Sequence, residues 1–448
     1  MESINREKEA VLEKSKKDGV KFVDLQFTDL FGTIKSVTIP VEYLSESLEK
    51  GTWFDGSSIE GFTRICESDM YLMPDPASYN VIPWKVLENG STARMMCDVY
   101  MPDGKPFEGD SRYILKKVIK EAEEMGYVYN TGPELEFFLF KQEDGRVRPV
   151  PHDRAGYFDL SMDQAYGVRR DMVLALERLG INVEVSHHEV ANGQHEIGFK
   201  YGSALKTADS AVTLKYTFKA IASMHGLYAS FMPKPIFGIN GSGMHVHQSL
   251  FDLKGNTAFF DAKDEHKLSK VAKSFIAGQL EHIREFSGIT APTVNSYKRL
   301  VPGYEAPVYI CWAQKNRSAL IRVPRYSPGR EKATRCELRC PDPSCNPYLA
   351  FSVMLKAGLD GVKRKLEAPE PVDEDVFEFT DADLQKRGIK TLPGSLGEAI
   401  VEMRKSKLVK ETLGEHAFDQ YMRNKTVEWD EYRLAVSDWE INRYLEVL

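Results

Sequence analysis

The sequence predicts an α+β fold made of two unequal units. Short strand patterns dominate the first hundred or so residues, and a polar, turn-rich stretch follows at residues 101–110. Strands and helices then alternate without the regular strand–helix–strand repeat of a doubly wound sheet. We therefore expect an N-terminal domain over residues 1–107 and a larger domain over residues 108–448 of the 448-residue chain.

The N-terminal unit is predicted to begin with a short charged helix over residues 2–17. Residues 29–32 form a turn that ends in glycine, and a glycine-rich loop is expected over residues 51–58. Runs rich in β-branched and aromatic residues predict strands between these breaks. The predicted strands cover residues 22–27, 33–39, 70–73 and 93–100.

A capped amphipathic helix is predicted to open the larger unit. Ser111 or Asp110 can cap it, apolar residues recur along one face, and Gly126 ends it. Further helices are predicted over residues 163–179, 207–224 and 270–286, with mostly helical chain after residue 346 and an acidic excursion at 363–383. The predicted strands cover residues 131–141, 243–251, 318–323 and 334–339.

The composition argues against several classes of protein. A formal net charge of −7 disfavours nucleic acid and anionic membranes as partners. No apolar run reaches the ~18 residues of a membrane span, and the N-terminus lacks the apolar core of a secretory signal. No CxxC pair occurs, so we expect reduced thiols in a cytoplasmic protein. The six cysteines are Cys66, Cys97, Cys311, Cys336, Cys340 and Cys345.

Two carboxylates share one face of a predicted strand. Glu134 and Glu136 alternate with apolar residues and lie on the same face as Phe138 and Phe140. Neighbouring carboxylates in an apolar strand repel each other and lose hydration, so they need cations. The alternative is an exposed sheet rim.

A second predicted strand carries histidines after a glycine-rich turn. His245, His247 and Ser249 share a face, and imidazole suits Mn²⁺ or Zn²⁺ better than Mg²⁺. Structural histidines are the alternative. Since the sequence contains no GxxxxGK[ST] motif, any ATP phosphates are not held by a P-loop.

A third strand alternates arginine and glutamate at Arg335, Glu337 and Arg339. A surface ion-pair ladder would explain it. Its functional interpretation is a carboxylate that binds a metal between guanidinium groups that bind anions.

Two further segments add acidic and basic side chains. Glu189 and Glu196 flank a turn-prone Asn-Gly, and residues 295–323 form a loop rich in arginine, which could also be simply solvated. Metals and arginines that converge on one site suit phosphoryl transfer, because its transition state spreads negative charge over phosphate oxygens.

Several motifs in a fixed order resemble the type I glutamine synthetase family. They run from about residue 20 to 350, and their joint order is far more specific than any one of them. The matching segments are Asp55-Gly-Ser-Ser58, Gly132-Pro-Glu-Leu-Glu136, Gly193-Gln-His-Glu196, Met232-Pro-Lys-Pro235, Asn240-Gly-Ser-Gly-Met-His245, Lys298-Arg-Leu-Val-Pro-Gly-Tyr-Glu305, Asn316-Arg-Ser318, Arg335-Cys-Glu-Leu-Arg-Cys-Pro-Asp-Pro343 and Asn346-Pro-Tyr348.

The resemblance implies ATP-dependent formation of glutamine from glutamate and ammonium through γ-glutamyl phosphate, in nitrogen assimilation. It implies a small β-grasp-like N-terminal domain and a large catalytic domain with a curved antiparallel sheet and helices. It also implies a homo-dodecamer of two stacked hexameric rings with active sites between subunits.

The resemblance also assigns binding roles by motif. It implies two or more Mg²⁺ or Mn²⁺ ions per subunit, one held by Glu136, Glu189 and Glu196 and the other by Glu134, His245 and Glu337. The residues implied to surround ATP are Tyr201, His247, Ser249, Arg322, Lys332 and Arg335. Those implied to hold glutamate are Asn240, Gly241, Arg299 and Arg339.

For the chemical steps, Asp55 resembles the base that deprotonates ammonium, Glu305 the flap residue that closes the pocket, and Arg317 the residue that stabilises the transferring phosphoryl group. Ser58 and Tyr157 resemble residues of the ammonium pocket.

The regulatory features resemble the feedback-inhibited branch of the family. Arg64 matches the arginine that takes part in inhibition by glutamine. Phe377 stands where the adenylylated branch has a tyrosine, so it offers no hydroxyl for that modification. Glutamine, 2-oxoglutarate and a PII-like protein are the candidate effectors.

Two alternative functions fit the same resemblance. One is a γ-glutamyl ligase for another amine, although Asp55 and Glu305 favour ammonium. The other is a non-catalytic scaffold, although every metal-ligand position carries a suitable side chain. Cys336, Cys340 and Cys345 are interpreted as packing substitutions.

We expect Asp55→Ala to leave glutamate and ATP binding largely intact and to lower kcat strongly. The physical reason is that ammonium has no lone pair until a base removes a proton. Steady-state kinetics at low ammonium measure the effect. Near-normal turnover of the variant under that condition would refute the assignment.

Overall fold

The N-terminal residues pair into one sheet, within the range that the computed structural model describes: residues 2–57, 59, 61, 69–143, 145–302, 306–316 and 318–448. The strand order is β2-β1-β6-β4-β3, with β5 also on β6; β1 and β6 are parallel and the other pairs antiparallel. The strands are β1 (Val20–Thr28), β2 (Ile34–Pro40), β3 (Thr52–Asp55), β4 (Asp69–Pro74), β5 (Asn80–Leu87) and β6 (Gly90–Tyr100).

A larger sheet follows, in the order β14-β15-β16-β13-β7-β10-β9. Its central strand β7 also pairs with β8, β11 and β12, and every pair except the parallel β14–β15 is antiparallel. The strands are β7 (Tyr127–Glu143), β8 (Arg146–Pro151), β9 (Val183–His188), β10 (Gln194–Phe199), β11 (Gly202–Ser203), β12 (Leu227–Ser230), β13 (Met244–Asp252), β14 (Tyr309–Ala313), β15 (Ala319–Arg322) and β16 (Cys336–Leu338).

Helices cover the larger sheet and form the C-terminal region. None of those in the described ranges is both long and apolar enough to cross a bilayer. They are α1 (Glu2–Lys17), α2 (Leu44–Lys50), α3 (Ser111–Glu124), α4 (Tyr166–Arg178), α5 (Ala204–Met224), α6 (Lys270–Thr290), α7 (Ser296–Arg299), α8 (Pro347–Arg364), α9 (Asp381–Arg387), α10 (Leu396–Lys405), α11 (Lys407–Leu413), α12 (Glu415–Leu434) and α13 (Asp438–Tyr444).

The α+β expectation is confirmed, and local sequence signals explain the clearest element ends. Asp110, not Ser111, caps α3 by accepting from the backbone N–H of Arg112. Asn346 caps α8, whose first residue is Pro347, where a missing N–H costs nothing. The glycine-rich loop expected over residues 51–58 is wrong in part, because residues 52–55 form β3 through pairing with β4.

A buried arginine joins the first sheet to the helices of the larger unit. Arg112 at the start of α3 donates to Asp75, just after β4, at 2.6 Å, to Asp98 on β6 at 2.7 Å, and to Asp209 on α5 at 2.9 Å. Its side chain is only 3 % exposed. A fixed cation that three carboxylates share holds the N-terminal sheet against the helices of the larger unit.

Glycines allow helices α6 and α8 to cross at close range. A Cβ added at Gly361 would lie 2.1 Å from the carbonyl oxygen of Ser274, and one at Gly278 would lie 2.2 Å from that of Ala357. Backbones this close leave no room for a methyl group. The crossing therefore depends on glycine at both positions.

We expect Gly361→Ala to reduce the free energy of unfolding by about 1–3 kcal/mol, because the added methyl group overpacks the crossing. Urea denaturation at one fixed protein concentration measures the loss. Gly167→Ala in α4 is the matched control. A Cβ there meets no atom within 4 Å, so stability should stay unchanged or rise by up to about 1 kcal/mol. Equal stability of the two variants would contradict the close crossing.

Candidate functional site

Acidic and histidine side chains form rows across the centre of the larger sheet. Strand β7 places Glu134 and Glu136 on one face. Glu196 on β10 lies directly opposite Glu136, and His245 on β13 lies opposite Glu134. Cross-strand pairing therefore brings side chains that are far apart in sequence together on one face of the sheet.

The first cluster is carboxylate-rich and combines Glu136 with Glu189 and Glu196. His187, opposite Glu196 in the β9–β10 register, has ring nitrogens 3.7 Å from Glu189 Oε1 and 3.6 Å from Glu196 Oε1. Burial, and then the charges of Glu189 and Glu196, raise the pKa of Glu136 well above its usual range. The cluster therefore has an excess of negative charge that a cation would neutralise.

Two donors hold Glu136 in place despite this repulsion. The Gln194 side-chain amide donates to Glu136 Oε2 at 3.0 Å, and the backbone N–H of Gly243 donates to the same oxygen at 2.9 Å. Glycine also leaves room for the neighbouring side chains, since a Cβ at position 243 would lie 2.5 Å from a nitrogen of Arg299.

The second cluster combines Glu134, Glu337 and two histidines. His245 Nδ1 lies 3.8 Å from Glu134 Oε2 and 3.7 Å from Glu337 Oε1. His247 Nε2 donates to Glu134 Oε1 at 2.8 Å, while its Nδ1 accepts from Arg335 Nε at 3.1 Å. Because Nδ1 accepts, His247 is the neutral tautomer with its proton on Nε2.

Arginines set the charge state of Glu337. Arg339 Nη1 donates to Glu337 Oε1 at 2.6 Å and Arg322 Nη1 to Oε2 at 3.1 Å. Burial alone would raise the pKa of Glu337, but the charge of Arg339 outweighs it and lowers the pKa. This carboxylate is therefore ionised at neutral pH.

Both clusters fit hard divalent cations. The donor atoms of His187, Glu189 and Glu196 lie within 4.8 Å of one another, as do those of Glu134, His247 and Glu337. Carboxylate oxygens with one imidazole suit Mg²⁺ or Mn²⁺. These sets contain His247 and His187 where the predicted sets have His245 and Glu136. His245 Nδ1 nevertheless lies within 3.8 Å of oxygens of both Glu134 and Glu337.

A cavity of about 320 Å³ opens beside the second cluster. Its size is in the range of small-molecule pockets. Glu134 and Glu196 lie on its wall together with Arg330. Of the residues predicted to surround ATP, those that line it are Tyr201, His247, Ser249, Lys332 and Arg335.

A smaller cavity of about 50 Å³ lies beside the first cluster. Glu136, Glu189 and His245 contribute to its wall. All four residues predicted to hold glutamate also line it, namely Asn240, Gly241, Arg299 and Arg339. Buried guanidinium groups beside a polar cavity suit a carboxylate ligand.

Backbone carbonyls fix the guanidinium of Arg299. Its Nη1 donates to the carbonyl of Cys340 at 2.9 Å and its Nη2 to that of Arg339 at 3.1 Å. Its side chain is therefore held rigidly where it reaches the smaller cavity.

The remaining predicted residues fall outside this centre or outside the described residues. Asp55 is exposed at the end of β3, where hydrogen bonds from Ser57 lower its pKa, and it is not among the described residues that line either cavity. Tyr157 stacks on Phe158 and contacts the ring of His187 edge-on, with centroids 5.7 Å apart. The residues outside the described ranges are Ser58, Arg64, Glu305 and Arg317.

Sequence reasoning missed His187 and Gln194. Strand alternation offered a signal for His187, because it lies two residues before Glu189 and shares its side of the chain. The role of Gln194 depends on the β7–β10 register, which no local pattern specifies.

We expect Glu136→Gln to stabilise the protein in the presence of EDTA. A raised folded-state pKa means that the folded state binds this proton more tightly than the unfolded chain. The free energy of unfolding therefore falls as pH rises above 4.5, the ordinary glutamate value. Removing the charge should raise that free energy by about 0.5–2 kcal/mol at pH 8 in urea denaturation.

The gain should shrink as pH falls towards 5, where the wild-type carboxyl also becomes protonated. Glu177→Gln on the exposed face of α4 is the control and should change little. If the Glu136→Gln variant were less stable than the wild type at pH 8, repulsion of Glu136 by Glu189 and Glu196 would not be the dominant effect.

Comparison with known proteins agrees with this geometry. Residues 108–444 match the family model "Glutamine synthetase, catalytic domain", and residues 19–102 match "Glutamine synthetase, beta-Grasp domain". The glutamine synthetase of Methanosarcina mazei is 56% identical over 98% of both chains. That of Clostridium saccharobutylicum is 54% identical over 98% of both chains.

Solved structures agree at the level of the fold. A complex of GmaS with ADP superposes with a TM-score of 0.88 and 30% identity, over 97% of this chain and 99% of that one. The family models and the two relatives extend over nearly the whole sequence. This chain therefore belongs to the glutamine synthetase family.

Proposed function

We propose that the chain is an ATP-dependent ligase that forms glutamine from glutamate and ammonium through γ-glutamyl phosphate, in nitrogen assimilation. One observation carries the proposal. Glu134 lines the larger cavity and Glu136 the smaller one, although they are only two residues apart on the same face of β7. A nucleotide and an amino acid bound in the two cavities would meet at these carboxylates, as phosphoryl transfer requires.

The cationic side chains are suited to the first step. Lys332 and Arg335 line the larger cavity and would bind ATP phosphates, with Arg322 beside them on Glu337. Arg299 and Arg339 line the smaller cavity and would bind the glutamate carboxylate. Arg317 would stabilise the phosphoryl group in transfer, because its guanidinium adds charge where the transition state is most negative.

The two acidic clusters would hold two or more Mg²⁺ or Mn²⁺ ions. Bound divalent cations supply charge neutralisation to phosphate oxygens. The ligand set beside the nucleotide is Glu134, His245 and Glu337, and the set beside glutamate is Glu136, Glu189 and Glu196. The carboxylates and imidazole already face one another across the sheet, which supports this assignment.

The second step needs a base for ammonium. Asp55 would accept the proton, and Tyr157 and Ser58 would line the ammonium pocket with it. The flap residue Glu305 would close that pocket and exclude water from the acyl phosphate. The lowered pKa of Asp55 keeps it ionised and able to attract ammonium.

The chain would act as a homo-dodecamer of two stacked hexameric rings. In that assembly Asp55 serves the catalytic domain of a neighbouring subunit, which accounts for its exposure in one chain. A run of exposed apolar side chains near the C-terminus supports assembly, because patches of this kind mark protein interfaces. They include Leu434, Val436, Trp439, Leu445, Val447 and Leu448.

The two domains would have different roles. Residues 1–107 form the β-grasp-like domain that supplies Asp55, and residues 108–448 form the catalytic domain. The Arg112 contacts hold the two together.

The enzyme would be a type I member of the feedback-regulated, non-adenylylated branch and would work in the cytoplasm. Arg64 would take part in inhibition by glutamine. Phe377 excludes adenylylation at its position because it has no hydroxyl. Effectors of the class of 2-oxoglutarate or a PII-like protein would add control.

A phosphate-release assay with the full chain tests the proposal. We expect release from ATP to require glutamate, Mg²⁺ and ammonium together, with glutamine formed in equal amount. Methylamine in place of ammonium tests the alternative amine ligase. Faster turnover with methylamine would overturn the choice of ammonium, and absence of any glutamate-dependent release would overturn the enzyme assignment.

A further inference from the structure

The turn over residues 189–193 carries Glu189 between strands β9 and β10. Backbone bonds close the turn: the N–H of Glu189 donates to the carbonyl of Gln194 at 2.8 Å, and the N–H of Gln194 donates to that of Ala191 at 3.0 Å. Gly193 has a φ of +70°, a conformation that other residues rarely adopt. Inside the turn, the backbone N–H of Val190 donates to Glu189 Oε2 at 3.0 Å, and a side chain outside the turn adds to these contacts.

One oxygen of Asp153 contacts the residues at both ends of this turn. His188 Nε2, just before the turn, lies 3.2 Å from Asp153 Oδ1, and the backbone N–H of Gly193, at its end, donates to the same oxygen at 3.1 Å. The side chain of Asp153 is 0% exposed. A single buried oxygen thus bridges the two ends of the turn, in addition to the backbone bond between Glu189 and Gln194.

The other oxygen anchors Asp153 itself. The backbone N–H of Gln164, just before α4, donates to Asp153 Oδ2 at 3.2 Å, and His152 Nε2 lies 2.9 Å from that oxygen. Asp153 thus accepts from three donors and has His152 beside it, and a buried carboxylate with several partners is held firmly. These contacts outweigh burial and keep the pKa of Asp153 well below its usual range.

His188 extends this control to the backbone of Glu189. Its Nδ1 donates to the carbonyl oxygen of Glu189 at 2.7 Å. The two nitrogens of one buried ring therefore link the Asp153 carboxylate directly to the backbone of the residue that bears the ligand side chain.

We propose that Asp153 is a positioning residue that holds the turn of residues 189–193, and with it the Glu189 carboxylate, in the geometry for binding a divalent cation. The proposal rests on the metal role given to Glu189 above. Asp153 reaches neither cluster itself and acts through His188 and Gly193.

Asp153→Asn in the full-length protein tests this role. Asparagine has a single acceptor oxygen, so it cannot accept both from His188 and Gly193 on one side and from Gln164 on the other. We expect faster amide hydrogen exchange in the peptide that covers residues 189–194. We also expect Mn²⁺ affinity to fall about 10–100-fold at one class of site, measured by electron paramagnetic resonance without substrates.

Asp29→Asn is the matched control. Asp29 is likewise a buried carboxylate that accepts from two backbone N–H groups, those of Phe31 and Thr33, and lies 3.2 Å from the charged group of Lys35. It lies in the turn between β1 and β2. We expect it to lower stability without changing exchange at residues 189–194 or Mn²⁺ affinity.

Unchanged exchange at residues 189–194 in Asp153→Asn would overturn the positioning role, as would faster exchange with unaltered Mn²⁺ affinity. A third variant, Glu189→Gln, tests the metal assignment separately. If it leaves Mn²⁺ affinity as in the wild type, the metal role of Glu189 is wrong, and with it the proposal that Asp153 serves that role. Weakened binding in Glu189→Gln with normal binding in Asp153→Asn removes the role of Asp153 alone.

Discussion

Mutual repulsion among three carboxylates is the constraint on which this structure depends. Glu136, Glu189 and Glu196 would separate if the backbone let them, because each loses hydration and gains a like-charged neighbour. Their proximity is enforced by the hydrogen-bonded ladder of β7 and β10 and by donors aimed at Glu136. This repulsion lowers the stability of the fold, and such a loss is typical of a site that binds a ligand of opposite charge.

The charge of the whole chain differs from the charges gathered at the site. A chain with a net charge of −7 must nevertheless bind anionic substrates. It does so by pairing arginines with buried acids, as Arg339 and Arg322 pair with Glu337, so that local cations are present without a basic exterior. The two arginines keep Glu337 ionised, and Glu337 in turn compensates the charge of the arginines in the interior.

Local sequence patterns were sufficient to predict those features that depend only on neighbouring residues. Alternation placed Glu134 and Glu136 on one face, and capping chemistry located the start of α3 to within one residue. Non-local pairing decided the rest. Strand β3 pairs with β4, although the glycines on either side of it led to the prediction of a loop. Asp153 follows a Pro-His pair with no periodic signal, and its importance becomes visible only when Gly193 folds back onto it.

The two-residue spacing of Glu134 and Glu136 has an evolutionary consequence. Side chains alternate along a strand, so deleting or inserting one residue just before Glu134 would turn both carboxylates into the core and bring Leu135 to the open face. The larger cavity would lose Glu134 and the smaller cavity would lose Glu136 at the same time. Single substitutions can therefore change either cavity separately. An insertion or deletion in the middle of β7 would disrupt both cavities, so the distance between them should stay constant during evolution.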